Sequence, residues 1–343
     1  MPKLTVRNFE GTAEQWDAFV ERQDGARHFH RYGWRRVLEG HYAHECIYLG
    51  AYDESGALAG VLPLVRVKSI VFGHFLVSMP FLDYGGPLGT DDAIRALVEH
   101  AAALARETGA ALLEFRSARP LPVDLACSHR KIVVVNDLTP GDPDAVWKTF
   151  PSKIRVGVRK AQKNGVDVRI GHDQVRAFYD VFSFHMRDLG TPTHRLEFFQ
   201  AVAAAFPDSS WFGAAYLDGK PISCKAGFFF RGEMQMLWAS QLNMYRSLQP
   251  NMLMTWSFME QAAKLGASRY NFGRCTPGSN THTFKRHWGG HDEPLYWYQV
   301  ARGGVVKTPS PDDSAYAWGP RIWKKLPLRL TTTLGPHIVK YIP

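Results

Sequence analysis

The sequence predicts an α/β (α+β) protein in which a hairpin–helix–strand unit occurs twice. Residues 47–67 and 211–231 each have the pattern of two strands around a turn, and Asp218-Gly219 is a typical hairpin turn. Tyr52 and Tyr216 occupy equivalent places in these two hairpins, 164 residues apart.

The helix and strand that follow each hairpin repeat as well. Helical patterns over residues 91–107 and 250–265 are followed by Gly109 and Gly266, which are expected as left-handed helix caps. The strands after them place Phe115 and Phe272 at the same offset of 157 residues as the glycines. We therefore predict a tandem duplication, with each copy a mixed, mostly antiparallel sheet flanked by helices.

The expected division of the chain follows from this repeat. The first copy should cover residues 1–150, the second residues 151–305, and a basic tail residues 306–343. The second copy opens with a basic helix that begins near Ser152 and ends at Asn164-Gly165. The remaining helices are expected over residues 12–23, 34–39, 173–189 and 193–206.

The composition favours a soluble globular protein. Of 343 residues, 45% are hydrophobic and 21% are charged, and no run approaches the length of a membrane span. The first residues lack the apolar segment of a secretory signal, so we expect a cytoplasmic location. The four cysteines are far apart and form no C-x-x-C pair, so free thiols are expected.

The net charge of +9 is concentrated in two segments. Residues 152–170 hold six Lys or Arg against one Asp, and residues 302–343 hold seven against two. Such patches are typical of contacts with phosphates or an anionic surface, although solvated faces give the same pattern. For the tail, we expect a peripheral contact with the inner membrane face.

Several motifs resemble one family. The second half contains KIRVGVRKAQKNGVDV, DLGTPTHRLEFF (residues 188–199), NFGR (271–274), FKRHWGG (284–290) and WKKLPLRLTTTLGP (323–336), and the first half contains FLDYGGPLG (81–89). The chain resembles the Fem family of the acetyltransferase (GNAT) superfamily. Within it, the motifs are similar to the FemAB-like branch associated with PEP-CTERM and exopolysaccharide systems.

This resemblance implies tandem GNAT-like domains and an acyltransferase. An aminoacyl or acyl group would move from an activated carrier, aminoacyl-tRNA or acyl-CoA, to an amine of a cell-envelope precursor, either peptidoglycan or exopolysaccharide. The carrier would be a substrate, with no tightly bound cofactor. No DNA partner and no obligate oligomer are expected.

Two features depart from the family pattern. Fem enzymes of cell-wall synthesis often carry a coiled-coil arm, and no sustained heptad occurs here. The loop after residues 235–240, where acetyltransferases place a glycine-rich CoA cradle, lacks glycine, and Pro250 lacks an N–H group. We therefore expect side chains such as Arg246 and Asn251 to hold part of the donor.

The candidates for catalysis are Lys285, Arg274 and Asp188. Lys285, Arg274 and Arg286 can supply positive charge to an oxyanion or to donor phosphates. The resemblance points to Lys285 as the residue that neutralises the donor or intermediate, and Arg274 follows the end of a strand. Asp188 can act as a base, although Asp-Leu-Gly is also a common end of a helix.

The substrate-binding candidates fall into three sets. Arg155, Arg159 and Lys160 share one side of a helix, a spacing that suits phosphates or an RNA backbone. Aromatic residues in strands or beside them can line a pocket or fill the core; these are Trp238, Tyr245, Tyr270 and Trp288. The remaining candidates are Thr191, Arg246, Asn251, Arg286, Asp83 and Tyr84.

Other kinds of site fit less well. A metal site built from Cys275, His282, His287 and His291 is disfavoured because Gly289 and Gly290 interrupt the helix it would need. Cys275 has no evident histidine to activate it as a nucleophile. A nucleotide P-loop is excluded because its motif is absent. Two alternatives remain: an acyl-CoA-dependent N-acetyltransferase acting on a small-molecule or sugar amine, and a non-catalytic protein that binds RNA or a membrane surface.

Overall fold

The computed structural model describes residues 4–69, 71–302 and 318–342. The elements of the first half are β1 (Thr5–Asn8), α1 (Ala13–Glu21), α2 (Gly33–Tyr42), β2 (Glu45–Tyr52), β3 (Leu58–Ser69), β4 (Gly73–Ser78), β5 (Leu88–Gly89), α3 (Asp91–Thr108), β6 (Leu112–Ser117), β7 (Cys127–Ser128), β8 (Ile132–Asp137) and α4 (Pro143–Thr149). Those of the second half are α5 (Ser152–Lys163), β9 (Asp167–Ile170), α6 (Val175–Leu189), α7 (Leu196–Ala205), β10 (Ser210–Leu217), β11 (Lys220–Phe230), β12 (Glu233–Gln241), α8 (Pro250–Lys264), β13 (Arg269–Cys275), α9 (Asn280–Arg286), β14 (His291–Pro294), β15 (Tyr296–Ala301), α10 (Trp318–Trp323) and α11 (Leu328–Val339).

The strands form two sheets with the same design. The first has the order β1-β2-β3-β4-β6-β15-β7, with β5 paired to β3, and the second has the order β9-β10-β11-β12-β13-β8-β14. In each, three antiparallel pairs lead to one parallel pair, β4 with β6 and β12 with β13. An antiparallel strand then follows, β15 in the first sheet and β8 in the second. The predicted fold class is confirmed.

Equivalent residues of the two copies have equivalent surroundings. The guanidinium of Arg7 on β1 lies 4.6 Å from the ring centroid of Tyr52, and that of Arg169 on β9 lies 4.6 Å from the ring centroid of Tyr216. Gly109 and Gly266 follow α3 and α8 with φ of 69° and 82°, in the left-handed region that glycine enters without steric cost. These matches support the duplication.

The chain folds into two compact units. Described residues within 1–131, 294–302 and 340–342 form unit 1, and those within 132–293 and 318–339 form unit 2. These bounds differ from the expected division at residues 150 and 305 because β8 pairs with β13 and β15 pairs with β6. Of the expected tail, residues 306–317 and 343 lie outside the described residues.

Each unit has its own apolar core. In unit 1, Thr90 caps the start of α3 by accepting a hydrogen bond from the Ala93 N–H, and the helix buries Ile94, Leu97 and Ala101 against the first sheet. In unit 2, α5 and α8 cover one face of the second sheet with buried side chains that include Met254 and Phe258. Full burial of each large apolar side chain contributes about 1.5–3 kcal/mol. No helix in the described ranges is long and apolar enough to cross a membrane.

Candidate active site

A cavity of about 500 Å³ lies in unit 2 where β12 ends and α8 begins. Its lining combines cations, amides and a few apolar side chains: Lys153, Ile154, Val156, Gly157 and Lys160 of α5, Gln241 of β12, Arg246, Gln249, Asn251 and Met252 around the start of α8, and Phe284 and His287 at α9. Such a lining suits a ligand with an anionic part and an apolar part.

The connection into α8 is built without a glycine cradle. Residues 243–248 form a 3-10 helix, Gln249 takes a left-handed φ of 62°, and Pro250 is the first residue of α8. Proline suits this position because its fixed φ is helical and the first N–H groups of a helix have no partner within it. The positive end of the α8 dipole thus lies at the cavity. Arg246 and Asn251, expected to hold the donor, both line it.

Next to the cavity, β12 and β13 part from each other. Their parallel pairing ends at Gln235 and Asn271, and both strands continue beyond that pair. Gly273 has a φ of 75°, and its N–H donates to the Asn271 side chain at 2.9 Å. The register of β13 with β8 is also irregular between Asn271 and Arg274. We call the space beyond this last pair the strand opening.

Lys285 is fixed beside the strand opening. It lies on α9, which begins after Ser279, whose hydroxyl accepts from the His282 N–H. Although a lysine, it is only 7% exposed. Its Nζ donates to the carbonyl oxygens of Gly273 at 2.6 Å and Arg274 at 2.9 Å. These bonds favour the charged ammonium and hold it against β13.

A second buried lysine was not predicted. Lys225 lies in the middle of β11, is 3% exposed, and its Nζ donates to Thr255 Oγ1 on α8 at 2.6 Å. Burial, and next the charge of Lys285, lower the pKa of Lys225 from 10.5 to about 7. The sequence does carry a signal for it, since ISCKAGFFF places one lysine inside an apolar strand.

The predicted aromatic residues mostly belong to cores. Tyr270 and Trp288 are fully buried in the core of unit 2, and burial raises the pKa of Tyr270. Trp238 packs against Phe198 and Phe199, and Tyr245 is partly buried against the unit 2 core. None of the four lines the cavity, so the core alternative describes them better than the pocket alternative.

Other predicted site residues lie outside the cavity lining. Asp188, at the end of α6, forms an ion pair with Arg187 at 2.7 Å, and Thr191 follows that helix. Arg274 is exposed on β13, and Arg286 donates to the Gly290 carbonyl. The structure therefore brings neither Asp188 nor Arg274 into the lining.

The three cations of α5 have different surroundings. Arg155 is half-buried and donates to the carbonyl oxygens of Lys148 and Phe150 at 3.3 and 2.8 Å, so it stabilises the preceding helix end. Arg159 lies over the ring of Trp147, 5.9 Å from its centroid. Lys160 lines the cavity.

Asp83 and Tyr84 are buried inside unit 1. Tyr84 stacks on Phe29, with ring centroids 6.4 Å apart, and the guanidinium of Arg27 lies 5.4 Å from the Tyr84 ring centroid. Asp83 is fully buried, and its carbonyl oxygen accepts from Trp297 Nε1 at 3.3 Å. Both residues are therefore enclosed by the protein itself.

Two histidines of the disfavoured metal site pair with carboxylates, and His287 lines the cavity. His282 Nε2 lies 3.0 Å from Asp292, and His291 Nε2 lies 3.1 Å from Glu293. Cys275 is buried in the core of unit 2. Throughout the part of the chain that the structure describes, no three His, Cys, Asp or Glu side chains are grouped to hold a metal ion.

Comparisons with known proteins agree with this architecture. Residues 149–286 match the family model described as an acetyltransferase (GNAT) domain. A search of curated protein sequences finds no match. A crystal structure of FemX is 15% identical over 86% of this chain and 97% of that one, with a TM-score of 0.63.

Two further solved structures share the fold. One is the C-terminal domain of a putative lysylphosphatidylglycerol synthetase from Agrobacterium fabrum, 14% identical over 94% of this chain and 96% of that one, with a TM-score of 0.58. The other is a tandem GNAT protein from the clavulanic acid biosynthesis pathway, 12% identical over 89% of this chain and all of that one, with a TM-score of 0.56. Residues 149–286 thus match a GNAT acetyltransferase domain, the chain shares its fold with a tandem GNAT protein, and together these findings support an acyltransferase.

Proposed function

We propose that unit 2 binds the anionic carrier of an activated acyl group in the cavity and transfers that group to an amine. The observation that carries this proposal is the position of the cavity. Lys153, Lys160 and Arg246 line it, and the buried Lys285 lies beside the strand opening next to it. Cations at the start of a long helix suit the phosphates of CoA or of a tRNA end.

Lys285 would act on the charge that develops during transfer. Attack of an amine on an ester or thioester carbonyl produces a tetrahedral oxyanion, which a fixed cation stabilises most strongly where water is excluded. Lys285 is buried and its Nζ is held by two carbonyl oxygens, so little reorganisation is needed when the charge appears. Loss of one such group typically lowers turnover by about 100- to 1000-fold.

For the donor we propose an aminoacyl-tRNA, with an acyl-CoA as the alternative. One fold neighbour is part of a putative lysylphosphatidylglycerol synthetase, and the tandem GNAT neighbour was solved without AcCoA. The resemblance to the FemAB-like branch favours an amine of a cell-envelope or exopolysaccharide precursor as the acceptor, in the cytoplasm. A small-molecule or sugar amine is the corresponding acceptor for an acyl-CoA donor.

The proposal is tested by transfer and binding together. Purified protein is screened against acetyl-CoA, longer acyl-CoAs and aminoacyl-tRNA, and a donor that binds should raise the melting temperature. With that donor, Lys285→Met should lower turnover by about 100-fold or more, whereas Lys264→Met, an exposed lysine on α8, should not. Undiminished turnover of Lys285→Met would contradict the assignment.

A matched pair of variants tests the cavity itself. Lys160 and Lys163 are both exposed on α5, but only Lys160 lines the cavity. Lys160→Ala should weaken donor binding and reduce its dependence on salt, because one phosphate contact is lost. Lys163→Ala should bind as the wild type does. Equal effects of the two changes would show that α5 contributes only general positive charge.

A peripheral membrane contact is a second proposal, carried by α10 and α11. Residues 318–342 contain five Lys or Arg and no Asp or Glu. Ile322, Leu330 and Leu334 are 54%, 48% and 47% exposed there. Exposed apolar side chains among cations suit the surface of an anionic bilayer.

Co-sedimentation with vesicles tests this contact. The full chain should bind vesicles that contain phosphatidylglycerol more strongly than neutral ones. Changing Leu330 and Leu334 to Ser should weaken binding, while Leu265→Ser, an exposed leucine beyond α8, serves as the control. Binding of the full chain without turnover by any donor would instead favour a non-catalytic surface-binding protein.

A further inference from the structure

The buried Lys225 has no place in the function described so far. A lysine in the middle of an apolar strand loses its hydration, and an apolar side chain of similar size would fill the same space without that loss. Within the described residues, its hydrogen-bond partner is a neutral hydroxyl, Thr255 Oγ1, and the groups that shift its pKa include no carboxylate. Packing alone therefore does not explain why this position is a lysine.

The strand register places Lys225 and the carbonyl groups that bind Lys285 at the same end of the second sheet. Lys225 pairs with Ala239, which lies four residues past the last pair of β12 with β13 at Gln235. Arg274, whose carbonyl binds Lys285 Nζ, lies three residues past Asn271 on the other side. Both positions therefore lie past the last parallel pair, at the end of the sheet where β12 and β13 separate.

The contacts of Lys225 also connect it with the cavity. Its partner Thr255 is one turn of α8 after Asn251 and Met252, which line the cavity. Lys285 directly follows Phe284, another lining residue. Lys225 is thus linked to the lining through Thr255 on α8, and Lys285 through Phe284 on α9, while β12 lies between β11 and the strand opening.

Two like charges in such surroundings repel each other, which disfavours the protonated form of Lys225. Lys285 donates to two carbonyl oxygens, which hold its Nζ in place. Lys225 donates to one hydroxyl, and its pKa is lowered to about 7 by burial and then by Lys285. Lys225 is therefore the amine that becomes neutral.

The other groups around Lys225 do not reverse this order. On its own strand, Cys224 is the neighbouring titratable group, and burial raises the pKa of that thiol. The neighbouring strands present Gly213 and Ala239, and α8 presents Thr255. His185 of α6 binds Ser240, which pairs with Cys224, and burial lowers the pKa of His185 as well.

We propose that Lys225 is the proton acceptor of the transfer reaction, working together with Lys285 at this end of the second sheet. The acceptor amine attacks the acyl carbonyl carbon, so that a C–N bond forms and the C–O or C–S bond to the carrier breaks. The nitrogen loses one proton, which Lys225 Nζ takes up. That proton then passes to the departing oxygen or sulfur of the carrier, which leaves as a hydroxyl or thiol and returns Lys225 to its neutral form.

This inference rests on the proposed function, and a pH profile tests it separately. With the donor identified by the screen, wild-type turnover should fall on the acid side of about pH 7, where Lys225 becomes protonated. Lys225→Met should lower turnover by about 100-fold or more and should lose this acid limb. Lys225→Arg, which keeps a positive charge at all these pH values, should be equally slow.

Thr255→Val supplies a second variant in case Lys225→Met does not fold. Loss of the hydroxyl that accepts from Nζ disfavours the ammonium, so the acid limb should move to lower pH while the protein stays active. The inference would be overturned if the folded Lys225 variant kept wild-type turnover and an unchanged acid limb. If Thr255→Val alone folds, the same result in that variant would overturn it. Either outcome would leave the proposed function intact. Absence of wild-type turnover with every donor would overturn both.

Discussion

The two copies of the repeat differ in the contacts of the residue that follows the shared phenylalanine. In unit 1, the residue after the shared phenylalanine of β6 is Arg116, whose Nη1 donates to the Leu82 carbonyl at 2.8 Å. The N–H groups of Gly85 and Gly86 donate to the Arg116 carbonyl at 2.9 and 2.7 Å. In unit 2, the equivalent residue is Gly273, and its carbonyl binds Lys285.

The buried charges differ in the same way. In unit 1, Arg116 Nε lies 2.8 Å from Glu114 Oε1, and Gln299 binds the other oxygen of Glu114 at 2.6 Å, so opposite charges balance. In unit 2, the like charges of Lys225 and Lys285 oppose each other. The ion pair in unit 1 stabilises the protein, whereas the repulsion between the two lysines in unit 2 destabilises it and suits a reaction. This contrast favours the second copy as the place of the chemistry.

Breaking the buried ion pair between Arg116 and Glu114 should have the largest effect on stability. Arg116→Met leaves the Glu114 carboxylate buried beside an apolar side chain, which should lower the unfolding free energy by about 3–5 kcal/mol. Urea denaturation measures this loss. Arg176→Met, which removes the exposed ion pair with Asp180 on α6, should cost under about 0.5 kcal/mol. Equal losses would remove the contrast between the units.

Removing the amine of Lys225 should instead stabilise the protein. The folded chain releases the Lys225 proton at a pKa of about 7, whereas the unfolded chain holds it up to about 10.5. The unfolded state then binds more protons between these values, so wild-type stability should rise with pH there by up to roughly 1.4 kcal/mol per unit. Lys225→Met should lose this rise and should be more stable than the wild type, most clearly at pH 7 and below. Urea denaturation at pH 7 and pH 9 would reveal whether the two slopes differ.

A smaller change tests the carbonyl that holds Lys285. Gly273→Ala places a Cβ in the left-handed region, at a cost of about 1–2 kcal/mol, and should displace the Gly273 carbonyl. Gly278→Ala has a similar φ of 76° and open space around its Cβ, so it carries the same backbone cost without that contact. We expect similar melting temperatures for the two variants and a loss of turnover only for Gly273→Ala. Equal turnover would mean that the position of Lys285 does not depend on this carbonyl.

The smallest effect is expected at Tyr270. Its buried hydroxyl has no hydrogen-bond partner among the described residues, so Tyr270→Phe should change stability by under about 1 kcal/mol and leave turnover unchanged. Tyr216→Phe removes a hydroxyl that donates to Gln174 at 2.7 Å and should cost about 1 kcal/mol. A large loss of turnover in Tyr270→Phe would return this residue to the site.

Local patterns in the sequence predicted the repeated unit well. Gly109 and Gly266, with the phenylalanines six residues later, sit at the same offset because cap and strand are local features. Pairings between distant strands leave no such pattern. The sequence therefore did not predict that β8, from the first half of the chain, pairs with β13 in unit 2, or that β15, from the second half, pairs with β6 in unit 1.

The candidate site was predicted only in part. Lys160, Arg246 and Asn251 line the cavity and Lys285 lies beside it, but Tyr270 and Trp288 are core residues, since an aromatic pattern does not distinguish a pocket from a core. Lys225 was not predicted because no motif or helical spacing singles it out. A lone lysine in an apolar strand is nevertheless a sign of unusual chemistry.

The pairing of β15 with β6 affects the order in which the chain folds during synthesis. Domains commonly fold from the N-terminus while synthesis proceeds. Here β6 can pair with β15 only after β15 has been synthesised. The hydrogen bond from Gln299 to Glu114 likewise needs a residue 185 positions further along the chain. Unit 1 should therefore reach its final form after most of unit 2 has been synthesised. Pulse proteolysis of stalled nascent chains should show unit 1 protected only once Ala301, the last residue of β15, has emerged from the ribosome.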